Sequence, residues 1–181
     1  MVRKALTSVV LLLLLAPAFG CGAAPATPEA PAEIAYDVVL YFADQAYIET
    51  GDPSLPPVVS EETSIAVAEG TEPYLAVLEG LRTPAEEGHA TMVTEHIVIY
   101  SVTYDSAVED QLVVDLDRDG LTGGSLGEDL FIRQIVETLL HNEALAGDRP
   151  VPTRVLFLVD GQPAESLMGH IDATMPFESS L

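Results

Sequence analysis

Between Leu126 and Asn142 the chain reads LGEDLFIRQIVETLLHN, and this one stretch limits the possible folds more than any other. Phe131, Ile135 and Leu139 recur every four residues, Ile132, Val136 and Leu140 flank them, and Asp129, Arg133 and Glu137 mark the wet side. That spacing predicts a long amphipathic helix. A helix with a wide apolar stripe needs a partner surface, and most of the remaining periodic sequence reads as short strands.

The first of these is YDVVLYFAD, where Val38, Leu40 and Phe42 alternate with Val39 and Tyr41, so both faces are apolar as in an inner strand. AYIET reads as a partner strand before the turn-rich GDPSLPPVV, and TSIAVA as a third. TEPYLAVLEGLRTP then switches to helical spacing, with Pro73 in the first turn, an apolar face of Tyr74, Leu75, Leu78 and Leu81, and Pro84 ending the run. HIVIYSVTY and QLVVDLD, joined by the acidic turn DSAVED, predict a hairpin, and RVLFLVDG a last strand before the tail ESLMGHIDATMPF. Strands outnumber two helices, so the expected class is α+β: a single domain, with a mixed or antiparallel sheet and about two helices packed on it.

The amino terminus speaks to location. Arg3 and Lys4 precede an apolar run from Ala5 to Leu15, then small residues and Pro17, the order of a secretory signal over residues 1–20. The run is too short to span a bilayer as a mature helix. Cys21, the chain's one cysteine, follows Gly20 at the expected cleavage point, and a lipid attachment site explains it better than an unpaired exported thiol. A bacterial lipoprotein signal is similar; cleavage after Ala18 by an ordinary signal peptidase is the alternative, and either route exports the protein. Residues 21–34, rich in proline and alanine, read as an extended tether of about 3 Å per residue, and residues 35–181 as the domain.

From residue 21 onward five arginines face 29 acidic residues, a formal charge of −24. Such a surface repels nucleic acid and anionic lipid headgroups.

DLDRDGLTGGSLGED, residues 115–129, superimposes two site patterns on a connection. Asp115, Asp117, Asp119 and Gly120 fill the first half of a calcium loop, but position 12 is Leu126, the next acid, Glu128, comes two residues late, and a strand precedes it. Gly123, Ser125 and Gly127 spell a nucleophile elbow, with Asp160 and His170 following in hydrolase order. Against that stand the six residues between strand and motif, the short chain, and a competing use for the serine: Ser125 and Glu128 have the S-x-x-E spacing of a capping box. His89, His96 and His141 show no metal-ligand spacing, and there is no phosphate-cradling glycine loop or paired-cysteine motif. The expectation is a structural cap at Ser125 and Glu128, with no catalytic residue, no metal and no cofactor.

VVLYFAD, YLAVLEGLRTP, the hairpin ending in LVVDLD, the glycine-serine step into FIRQIVETLL, and VLFLVDGQPAESLMGH together resemble the GerMN domain of bacterial sporulation and spore germination proteins. The likeness runs from about Asp37 to Phe177 and is most specific at QIVETLL and VDG. LRTPAEEG and TMVTEH depart from the family's usual connections. The resemblance implies a non-catalytic binding or assembly module of the cell envelope, similar in fold to domains that build rings in secretion machines. Its expected partners are another envelope protein or further copies of itself, with the membrane reached through the Cys21 anchor on the extracytoplasmic face.

Overall fold

The computed structural model describes residues 32–181. The expected signal peptide, Cys21 and most of the expected tether lie outside the described residues, and the first strand begins at Glu33, just inside the stretch assigned to the tether.

The elements follow in the order β1 (Glu33–Asp44), α1 (Gln45–Thr50), β2 (Val58–Ala68), α2 (Pro73–Gly80), β3 (His89–Ala90), β4 (Ile99–Tyr104), β5 (Gln111–Leu116), α3 (Ser125–Leu140), a 3-10 turn (Glu143–Ala146), β6 (Arg154–Val159) and β7 (Gln162–Pro163). The class is α+β, as expected. Two sheets replace the single one predicted. One is antiparallel, in the order β2-β1-β3; the other is mixed, in the order β4-β5-β6-β7. β4 and β5 form the predicted hairpin, while β6 lies parallel to β5 after the α3 crossover. Parallel pairing requires such a crossover, because no tight turn can return the chain to the same end of the sheet.

AYIET, expected as a strand, is the helix α1. Asp44 caps it by accepting the Tyr47 N–H at 3.1 Å, and Gly51, at φ 62°, ends it in the left-handed region that glycine adopts without strain. α2 buries Tyr74, Val77 and Leu78, with Leu81 just beyond its last turn.

Both sheets and both longer helices share one main core. On the mixed sheet Leu112, Val114 and Leu116 of β5 and Val155, Phe157 and Val159 of β6 turn inward, and Val38, Leu40 and Phe42 of β1 join them. Phe131, Ile135 and Leu139 of α3 insert among these side chains and are fully buried. The wet side of α3 is only partly wet. Asp129 and Arg133 pair at 2.9 Å near the surface, but Glu137 is buried, because the carboxyl-terminal tail lies over it. Ser179 and Ser180 hydroxyls and the Ser180 N–H all donate to its carboxylate at 2.7 Å.

Candidate functional site

The connection from β5 to α3 is where the sequence placed its candidate chemistry, and Asp115 and Asp117 there are turned to separate partners. Asp115 accepts the Gly161 N–H at 2.9 Å and so holds the tight turn between β6 and β7, in which Asp160 and Gly161 take φ 52° and 72°. That Asp-Gly pair suits a hairpin turn needing two left-handed residues. Asp117 accepts the Tyr100 hydroxyl and the Asp119 N–H, and Asp160 accepts the Arg118 N–H at 3.4 Å. The Tyr100 hydroxyl is pushed up to about 12, first by its hydrogen bond to Asp117, then by burial and the negative charge of Asp117, Asp160 and Asp115. The same bond holds the Asp117 carboxyl below its ordinary range.

An open depression of about 500 Å³ beside this connection is lined by His96, Val98, Asp117, Asp119, Gly120 and Thr122. Among the described residues no three acid, histidine or cysteine side chains converge as metal ligands. Gly120 stands where a calcium loop would want its turn glycine, yet its reason is contact. A Cβ there would lie 2.1 Å from the His96 carbonyl oxygen.

The capping box does not form. Gly124 is the N-cap of α3, no side chain caps that end, and Ser125 is an exposed first-turn residue. Glu128 points elsewhere. It is fully buried, and its two carboxylate oxygens accept four backbone N–H groups from the tail: Leu167 and Met168 on Oε1 at 2.9 and 2.8 Å, His170 and Ile171 on Oε2 at 2.8 and 3.2 Å. A buried carboxylate that saturates four donors of a distant loop cannot also reach back to its own helix start. It fastens the tail over the start of α3 and makes that nest of N–H groups its counter-charge.

The elbow's three residues are not assembled. His170 bonds the Gly123 carbonyl at 3.3 Å, Asp160 bonds the Arg118 N–H, and no hydrogen bond joins either to Ser125. Among the described residues no hydroxyl hydrogen-bonds a histidine ring. The closest acid–histidine pair is Glu61 with His89, at 2.7 Å and largely buried. Burial opposes the Glu61 charge, but the Ala85 N–H, the His89 ring and the Glu86 N–H outweigh it and hold the carboxyl below its ordinary value. The pair pins the loop after α2 onto β2.

A further set of polar side chains escaped the sequence reading. Gln134, Thr138 and Asn142 stand four residues apart along α3 and its end, all buried, and together they satisfy the edge of β1. Asn142 accepts the Val39 N–H and donates to the Val39 carbonyl, both at 2.8 Å; Thr138 accepts the Tyr41 N–H at 2.9 Å. Gln134 accepts the Met92 N–H at 2.6 Å and donates at 3.3 Å to the Tyr41 and Ala90 carbonyls. The helix thus does for β1 what another strand would do, supplying alternating donors and acceptors along its open edge. The spacing of four was a visible signal.

The comparisons agree with this architecture. The first GerMN domain of the Bacillus subtilis sporulation protein GerM is similar in structure, with a TM-score of 0.56 at 12% identity, covering 80% of this chain and 98% of that one. The tandem GerMN domains of the same protein give 0.51 at 14% identity over 88% of this chain, which spans 48% of the tandem structure. A candidate lipoprotein from Clostridium perfringens gives 0.48 at 17% identity, covering 81% and 87%. Among curated proteins none matches significantly. The profile of the Germane family, described as sporulation and spore germination, matches residues 39–165, from the β1 edge that α3 covers to the segment after the β6–β7 turn, and the chain belongs to that family.

Proposed function

We propose that this protein is an exported, lipid-anchored GerMN module that works by binding or assembling with other components of the bacterial envelope, in a process related to sporulation or germination, and that it performs no chemistry. The observation that carries this reading is the use made of its buried polar side chains. Glu128 and Glu137 hold the tail, Glu61 holds the loop after α2, and Gln134, Thr138 and Asn142 complete a sheet edge. An acid–base catalyst needs a free proton-transfer position within reach of a substrate, and the three glutamates spend theirs on backbone N–H groups, serine hydroxyls and the His89 ring.

Anchoring rests on the sequence: the basic start, the apolar run and Cys21. Among the described residues no helix is long and apolar enough to cross a membrane, so the lipid on Cys21 is the proposed attachment. Expressed with its signal in a bacterium, the protein should partition into detergent, and Cys21→Ser should release or misprocess it. Wild-type protein recovered in the aqueous phase with a free Cys21 thiol would remove the anchor from this reading. Broad esterase and peptidase screens of the full chain should show no turnover; activity abolished by Ser125→Ala in a folded protein would replace the binding module with a hydrolase.

A further inference from the structure

Resting on that reading of a binding module, we propose that the outer edge of β2, from Ser60 to Ala66, is the docking site for an extended basic segment of an envelope protein, which adds to the sheet as a further strand.

The edge follows from the register. β1 and β2 pair antiparallel with Val38 opposite Thr63, Val39 opposite Glu62 and Asp37 opposite Ser64. Because Val39 and Tyr41 turn their N–H groups toward α3, the alternate residues Val38, Leu40 and Phe42 are those that bond to β2. The partners of Thr63 and Glu61 are thereby fixed, and the N–H and C=O groups of Ser60, Glu62, Ser64 and Ala66 point away from β1. No other element takes them up among the described residues. The four residues are exposed.

Proteins usually blunt such an edge by making it short, kinking it with a bulge, or placing lysine or proline on it. β2 is 11 residues long, pairs without a register shift, and contains neither. α3 covers the equivalent groups on the far side of the sheet, so one edge is closed with dedicated side chains while the other is left open.

Charge specifies the occupant. From Ala32 to Leu81 the sequence carries ten acidic residues and no lysine, arginine or histidine. Four of the five arginines among the described residues are already paired with Glu79, Asp129, Glu72 or Asp110. A second copy of this chain would bring the same charge to the edge, which disfavours self-pairing. Glu62 and Asp37 lie on one face of the ribbon, and a cleft of about 400 Å³ is lined by Asp37, Val38, Val39, Glu62 and Thr63. A lysine or arginine on an added strand opposite Ser64 would sit diagonally beside Glu62 and extend over the small serine toward Asp37, since neighbouring strands are about 4.8 Å apart. Main-chain bonds would supply the affinity, and alternate basic side chains the selectivity.

The test uses the full chain and a fluorescently labelled, end-blocked eight-residue peptide of alternating lysine and threonine, read by anisotropy. The peptide should bind, bind more weakly as salt rises, and lose binding when glutamate replaces lysine. Ser64→Pro removes an outward N–H while sparing the β1 pairing, and should weaken binding by about tenfold or more. Glu62→Lys, which leaves the backbone alone, should do so by about tenfold and guards against misfolding of the proline variant. No binding to wild type, or equal binding to wild type and Glu62→Lys, overturns the proposal. A photocrosslinker at Ser64, and another at the exposed Thr103 of β4, separates this failure from that of the parent reading. Cross-linking in cells from Thr103 but not Ser64 keeps the binding module and discards the edge; a Ser64-to-Ser64 product makes the occupant a second copy and also refutes the basic partner.

Discussion

Replacing Glu128 with glutamine keeps the side chain's shape and removes its charge. In the native protein each carboxylate oxygen accepts two tail N–H groups, from Leu167 and Met168 and from His170 and Ile171, at 2.8–3.2 Å. Glutamine retains one such oxygen. Its amide nitrogen presents donors to the other pair of N–H groups, which lose their acceptor in a place from which water is excluded. Two lost charge-assisted bonds at about 1.5–3 kcal/mol each come to about 3–6 kcal/mol. For a domain of this size each kilocalorie lowers the melting temperature by roughly 2–4 °C, so a fall of roughly 6–24 °C is expected in thermal melts followed by circular dichroism. Hydrogen exchange should show residues 167–171 losing protection first. Ser125→Ala is the control: the exposed serine makes no cap bond, and its loss should cost under about 0.5 kcal/mol, against about 1 kcal/mol for a true N-cap. If Ser125→Ala proves the more damaging substitution, or Glu128→Gln is near neutral, the tail-fastening role assigned to Glu128 is wrong and the capping box is real.

Gly120→Ala should destabilise by about 1–3 kcal/mol or prevent folding, because the added methyl meets rigid backbone at His96, whereas Gly124→Ala has open space around it; urea melts of the two variants decide this. Glu61, ionised more readily folded than unfolded, adds stability above its ordinary value of about 4.5 and loses it as pH falls through the lower folded value. The stability gap between wild type and Glu61→Gln should therefore narrow as pH falls below about 4.5, and a gap that widened in acid would reverse the assignment. Carbon NMR of labelled tyrosine should find Tyr100 titrating near 12, and Asp117→Asn should bring it back toward about 10; an unchanged titration would mean that Asp117 does not hold the hydroxyl. Millimolar calcium should raise the melting temperature little, and equally in wild type and Asp117→Asn, since the Asp115, Asp117 and Asp160 carboxylates are each turned to separate partners; a large rise lost in the variant would restore the metal loop.

The elements legible in the sequence were those whose burial pattern is set within a dozen residues. α3, α2, the β4–β5 hairpin and β6 fall where periodicity placed them. α1 did not: its apolar Tyr47 and Ile48 fit either period, though Asp44 before it and Gly51 after it were helix-end signals open to a reader who weighed caps above alternation. The division into two sheets depends on β1 pairing with β2, residues 33–43 against 58–68, and with β3 more than forty residues away, which no local window contains. Glu137 looked wet, and Glu128 looked free to cap its own helix, for the same reason: the tail that buries them arrives about forty residues later.

Polar residues at regular helical spacing are commonly read as a solvent face. Where a helix lies beside an open strand edge, that inference inverts, because the edge presents main-chain N–H and C=O groups that must be satisfied in the core. Gln134, Thr138 and Asn142 face β1 for this reason, and apolar residues there would leave Val39 and Tyr41 without partners. The same logic accounts for the two stretches in which the likeness to GerMN domains was most specific. QIVETLL contains two members of the stripe that closes β1, and VDG contains the turn whose Gly161 N–H is held by Asp115. In both, the spelling is tied to backbone groups on another element, so side-chain chemistry and fold are inseparable there. The outer edge of β2 carries no such tie: among the described residues no other element takes up its outward N–H and C=O groups.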